Sequence, residues 1–150
     1  MKIGELSSSS GTPVETIRFY ERQGLLPEPA RTQGNFRTYE QPHLEQLRFI
    51  RYCRSLDMSL DEIRVLLKVR GEPGADCGDA NAVLDEHIGH VSTRIKELRL
   101  LEKQLKELRC RCAESQSAEQ CGILIGLSEA ASEPAVSVKK QRPSRLAHAL

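Results

Sequence analysis

A chain of 150 residues has room for one domain, or for a small domain with an oligomerisation element. With 29% charged residues and a formal net charge of +1, bulk charge names no partner, so nucleic-acid binding would depend on where individual arginines stand. No apolar run approaches the roughly 20 residues of a membrane span, and the N-terminus carries no basic-then-apolar export pattern.

Five cysteines without an export signal point to a reducing cytoplasm, and to metal or thiol chemistry rather than a disulfide framework. Enzymatic chemistry has no support, since neither a nucleophile–base constellation nor a phosphate loop is present.

In chain order, Ile3 and Leu6 open a short helical pattern that Ser7–Ser10 and Gly11, poor helix formers, are expected to fade. Thr12, Pro13 and Glu15 then supply an N-cap, a first helical residue and the far end of a capping box. The helix they start turns Val14 and Ile17 inward and ends near Gly24. Two short helices joined by a glycine-bearing turn form a helix-turn-helix pattern. The second presents Arg18, Tyr20 and Arg22 beside Glu15 and Thr16, a set that would serve equally as a solvated charged face.

Pro27 and Pro29 bar further helix. Thr32–Asn35 reads as a turn and Phe36–Tyr39 as a short alternating strand, making a wing edged by Arg31, Asn35, Arg37 and Tyr39. Beside a helix-turn-helix, those side chains suit phosphate contacts, which fix position without reading bases. Pro42 opens the next helix, with Leu44, Leu47 and Ile50 inward and Cys53 on or beside the apolar stripe as a packing residue. Ser59-Leu60-Asp61-Glu62 is a second capping box, starting a helix with Ile63, Leu66 and Leu67 apolar. Gly71, Pro73 and Gly74 break the chain and mark a boundary near residue 71.

From Leu84 to Cys112 one apolar side recurs through Ile88, Val91, Ile95, Leu98, Leu101, Leu105 and Leu108. Its mean spacing of about 3.5 residues is that of a coiled-coil seam. One narrow stripe on a lone helix calls for a second copy, so a homodimer is expected. A helix over residues 80–112 is on the order of 50 Å long, too long for Cys77 to reach Cys112 of its own chain.

Cys112 and Cys121 are separated by a loop short enough to return both sulfurs to one ion, and polar flanks around Cys77 and after Cys112 argue against simple apolar packing. Cys110, two positions from Cys112 on a helix, points about 200° away and reads as spare. His87 and His90 read as solvated surface histidines. Gly122–Leu127 forms a short apolar helical turn, and from Ser128 onward the small, polar, proline-bearing composition predicts a disordered tail.

Lys2-Ile3-Gly4-Glu5-Leu6, Thr16-Ile17-Arg18-Phe19-Tyr20-Glu21, Gly24-Leu25-Leu26-Pro27, Gly34-Asn35-Phe36-Arg37-Thr38-Tyr39 and Met58-Ser59-Leu60-Asp61-Glu62-Ile63 resemble the N-terminal half of MerR-family transcription regulators. Cys77-Gly78, Asn81, Asp85-Glu86-His87-Ile88 and Arg94-Ile95 look most like the family's cadmium- and lead-responsive branch. The resemblance covers roughly residues 1–127. It implies a mainly α protein: a winged helix-turn-helix DNA-binding domain (1–70), a linker and antiparallel coiled-coil dimerisation helix (71–112), and a metal-binding loop with a short helix (113–127). The expected tail, 128–150, follows.

The resemblance also implies that a homodimer sits on a palindromic double-stranded promoter operator. In the metal-bound form it distorts the DNA so that RNA polymerase engages both promoter elements, with DNA deformability as the lever. Arg18 and Tyr20 on the recognition helix, with Arg31, Asn35, Arg37 and Tyr39 on the wing, are the implied DNA contacts. Cys77, Cys112 and Cys121 align with the family's three metal-ligating cysteines.

Sulfur-only ligation favours soft cations, and zinc normally wants a fourth ligand. Lead, cadmium and mercury all suit such a site; the resemblance of the Cys77–Arg94 block to the cadmium- and lead-responsive branch implies Pb(II) or Cd(II) as the inducer, with Hg(II) or Zn(II) as alternatives. A thiol redox sensor built on Cys110, Cys112 and Cys121, and a metal-sequestering protein without DNA work, are the competing functions.

Overall fold

The computed structural model describes residues 1–134, so residues 135–150 of the expected tail lie outside the described residues. The chain divides into two compact units, Met1–Leu84 and a second that begins at Asp85.

The first unit opens with α1 (Ile3–Ser10) and α2 (Val14–Arg22). The serine run does not fade as expected: α1 continues through it to Ser10. Ser8 Oγ donates to the Gly4 carbonyl at 3.1 Å, while Arg48 and Arg51 donate to the Ser9 and Ser10 carbonyls at 3.3 Å each. These arginines satisfy carbonyls that a helix end leaves open, and Gly11 at φ 67° closes the turn. Helix α2 starts one residue later than the capping-box reading. Pro13 stands at the N-cap, where no side chain caps the helix, and Thr12 is buried one residue earlier.

A two-stranded wing follows, β1 (Ala30–Arg31) and β2 (Arg37–Thr38), antiparallel with Ala30 opposite Thr38 and Arg31 opposite Arg37. Helices α3 (Gln41–Ser55) and α4 (Leu60–Arg70) complete the head. Proline sits in the first turn of α3 as expected. At α4 the predicted capping box is present, Glu62 N–H donating to Ser59 Oγ at 3.1 Å and Ser59 N–H to Glu62 Oε1 at 2.7 Å. Leu6, Ile17, Leu25, Leu47, Ile50 and Ile63 form the interior, with Cys53 among them as a packing residue. Burial pushes the Cys53 thiol pKa up, which suits an inert core position.

Helix α5 (Gly78–Arg109) is one uninterrupted element of 32 residues, about 48 Å at 1.5 Å per residue. It ends before Cys110, short of the expected end at Cys112, and Arg109 Nη1 donates to the Cys112 carbonyl at 2.8 Å across the turn. The angular reasoning that turned Cys110 away from Cys112 therefore does not apply, although Cys110 is exposed. His87 is buried rather than solvated, whereas His90 is on the surface, 3.8 Å from Glu86.

A single-turn 3-10 helix (Ala118–Gln120) leads into α6 (Gly122–Ser132). Helix α6 thus runs past the expected boundary at Leu127, because Ser128-Glu129-Ala130-Ala131 contains nothing that breaks a helix. No helix among the described residues is long and apolar enough to cross a membrane.

Candidate nucleic-acid interface and thiol metal site

Recognition helix and wing enclose a cleft lined by Arg18, Arg22, Arg31 and Arg37 against Glu21 and Glu28. Two of these arginines project from α2 and two from facing positions of the wing. Arg18 is tethered to Glu15 at 3.2 Å, an exposed pair that phosphate can displace at little cost. At the wing tip Asn35 adopts φ 64°, a left-handed conformation that asparagine tolerates better than most residues. Arg31 Nη1 donates to the Asn35 carbonyl at 3.2 Å, which holds the tip to its base. A cluster of cations on a helix and an adjacent wing is the electrostatic footprint of a DNA-binding face.

Two of the expected DNA contacts are largely buried in the head. Tyr20 is only 8% exposed and belongs to the interior, with its pKa raised by burial against the opposing influence of Arg54. Tyr39 is 1% exposed, and its hydroxyl donates to Glu21 Oε1. Burial first, then the hydrogen bond and negative charge of Glu21, push the Tyr39 hydroxyl up to about 12. Sequence reasoning also missed two residues here. Phe36 stands 72% exposed at the wing tip, and Glu21 joins recognition helix to wing. The first had a signal in its place between Asn35 and Arg37; the second had none.

The thiols divide between the two ends of α5. Cys77 is exposed and immediately precedes the helix, with Asn81 Nδ2 3.9 Å from its sulfur. At the other end the backbone beside Cys121 packs against the backbone beside Cys112, with Gly122 against Arg111, which brings the two thiols to the same turn. Cys121 is the N-cap of α6, and the Leu124 amide, then the Ile123 amide and the Cys112 thiol, draw its pKa below that of an ordinary thiol against a smaller desolvation effect.

Cys112 Sγ lies 3.2 Å from the Glu114 carbonyl. Gly122 makes the approach possible, because a Cβ there would collide with the Arg111 carbonyl. Two partly open thiols, one already biased toward thiolate, form a donor set that fits a soft cation.

A winged helix-turn-helix head followed by a long helix is the architecture of a DNA-binding transcription regulator. Residues 1–69 match the MerR HTH family regulatory protein model, and residues 44–108 match MerR, DNA binding. The chain belongs to the MerR family of metal-responsive transcription regulators.

It is 52% identical over 109 residues to the HTH-type transcriptional regulator ZntR homolog of Haemophilus influenzae, covering 73% of this chain and 81% of that one. The structure of transcription regulator PbrR691 from Ralstonia metallidurans CH34, in complex with lead(II), superposes with a TM-score of 0.76 at 53% identity, covering 85% of this chain and 98% of that one. The dual-function transcriptional regulator MerR from Bacillus megaterium MB1, in complex with mercury(II), gives a TM-score of 0.66 at 31% identity and covers 85% and 99%. These relatives are transcription regulators, not enzymes.

Proposed function

We propose that this chain is a cytoplasmic homodimeric activator of heavy-metal resistance genes, induced by Pb(II) or Cd(II) held on Cys77, Cys112 and Cys121. The packing of Gly122 against Arg111, which seats Cys121 at the start of α6 beside the turn that carries Cys112, carries the reading. The similarity to a lead-bound regulator supports the choice of metal.

Two thiols leave a three-coordinate soft ion one donor short. In an antiparallel pair of α5 helices, the Cys77 end of one chain meets the Cys112 end of the other and supplies it. The apolar stripe supports that pairing, because Leu84, Ile88, Val91, Ile95, Leu98, Leu101 and Leu105 stand 41–65% exposed along α5. A like helix would cover them. The bound ion would supply electrostatic cross-linking of three thiolates; the chain's own residues position those thiolates and contact DNA.

On the head, Arg18, Arg31 and Arg37 neutralise phosphates and Asn35 holds the wing tip, while Tyr20 and Tyr39 set the helix and wing from within. A two-fold dimer requires a palindromic operator. The metal-bound dimer then favours a distorted promoter on which RNA polymerase engages both elements.

The test is a reporter-promoter panel with Pb(II), Cd(II), Hg(II) and Zn(II) under anaerobic reducing conditions. Induction by Pb(II) or Cd(II), lost in Cys112→Ser while operator binding persists, is expected. Induction by Hg(II) or Zn(II) alone overturns the metal assignment. The Cys112–Cys121 approach also favours a second reading, oxidation of that pair to a disulfide. Response to an oxidant but to no metal in the same panel would establish it.

A further inference from the structure

A carboxyl group lining a phosphate-binding cleft is an anomaly, since it repels the ligand. Glu21 lines this cleft, yet its side chain is only 10% exposed. Both oxygens are engaged by the wing. Oε1 accepts from the buried Tyr39 hydroxyl, and Oε2 lies 3.4 Å from Arg37 Nε. Glu21 sits on α2, whereas Arg37 belongs to β2 and Tyr39 directly follows it, so one side chain ties the recognition helix to the wing. An arginine held through Nε keeps its outer Nη1–Nη2 edge for a bidentate phosphate contact. The same contact neutralises part of the repulsion among four clustered arginines.

We propose that Glu21 is a positioning residue for operator binding, which holds Arg37 by its inner edge and fixes the wing against the recognition helix. This rests on the reading of the arginine cleft as the DNA interface. Glu21 contributes geometry rather than a DNA contact, so a change that spares its bond to Tyr39 should be felt through Arg37.

The test uses the full-length protein and a palindromic duplex selected from a random pool with the wild-type chain, with affinity measured across a salt series. Glu21→Gln keeps an acceptor for Tyr39 but removes the ion pair. Its affinity should fall roughly tenfold, the size of a lost charge-assisted hydrogen bond. The slope of log affinity against log salt should shrink by about one per wing. Arg37→Ala should show the same two changes, and the double variant should lose nothing further.

Equal or tighter binding by Glu21→Gln, or additive losses in the double variant, overturns the proposal. Should Glu21→Gln melt at room temperature, Arg37→Lys, which keeps the charge but not the Nε edge, must reproduce the loss. Wild-type binding by Arg37→Lys overturns the proposal. Arg18→Ala separates the two levels. If Arg18→Ala and Arg37→Ala both bind normally, the interface reading itself fails. If both are weakened and Glu21→Gln is not, only the positioning role fails.

Discussion

The Arg111 carbonyl lies where a Cβ on Gly122 would have to stand, and the Arg111 Cβ is 3.0 Å from the same point. The backbone next to Cys112 therefore runs directly against the backbone next to Cys121. Gly122 is required by space and not by its backbone angle, because its φ is not positive. Gly122→Ala should separate the two strands of chain at an overpacking cost of about 1–3 kcal/mol. Lead affinity, followed by competition titration, should weaken at least tenfold while operator affinity of the metal-free protein stays at the wild-type level.

Shared ligation between chains has its own signature. Cys77→Ser and Cys112→Ser homodimers should each be unresponsive to metal in the reporter assay. Co-expressed, they form a heterodimer with one complete thiol set, and induction should return to part of the wild-type level. A site confined to one chain gives no recovery.

The thiol of Cys121 is drawn down chiefly by the Leu124 amide. It should therefore alkylate with iodoacetamide at a pH below the 9.0 of an ordinary thiol, as read by mass spectrometry of the metal-free protein. Gly122→Ala, which displaces the same turn, should move that reactivity back toward higher pH. Because the folded pKa is depressed, the associated stability is present above the ordinary value and is lost as pH falls through the folded one.

Tyr39 carries the opposite sign. Its pKa rises from 10.0 to about 12 on folding, so the folded state holds its proton more tightly. The resulting stability is complete below 10 and disappears as pH climbs toward 12. Chemical denaturation across that window should show the decline in wild type and a flatter profile in Tyr39→Phe. At neutral pH the variant should be less stable by about 1–3 kcal/mol, since it leaves Glu21 Oε1 without its donor.

Elements with local causes were legible in the chain. The Ser59–Glu62 capping box, proline in the first turn of α3 and the turn at Asn35 each depend on residues within a few positions of one another. What escaped depends on distant partners. The serine run stays helical because Arg48 and Arg51, on a helix some forty residues later, bind its last carbonyls. Tyr20 and Tyr39 carry both an apolar ring and a polar hydroxyl, so pattern alone cannot assign them to surface or interior. The thiols were legible as soft donors, whereas the turn that seats them, with α5 stopping at Arg109, rests on the Arg109–Cys112 contact and on the bare backbone of Gly122.

The 32-residue span of α5 also acts as a ruler. One inserted residue would turn everything beyond it by about 100° and carry it about 1.5 Å further, taking the seam out of phase. Seven would add two turns and return the seam to register. In an antiparallel pair both chains lengthen together, so opposing ends still meet. An insertion of seven is therefore the length change that leaves the winding of the rod undisturbed, and a sensor separated from its DNA-reading head by an extra heptad would keep the same ligand geometry.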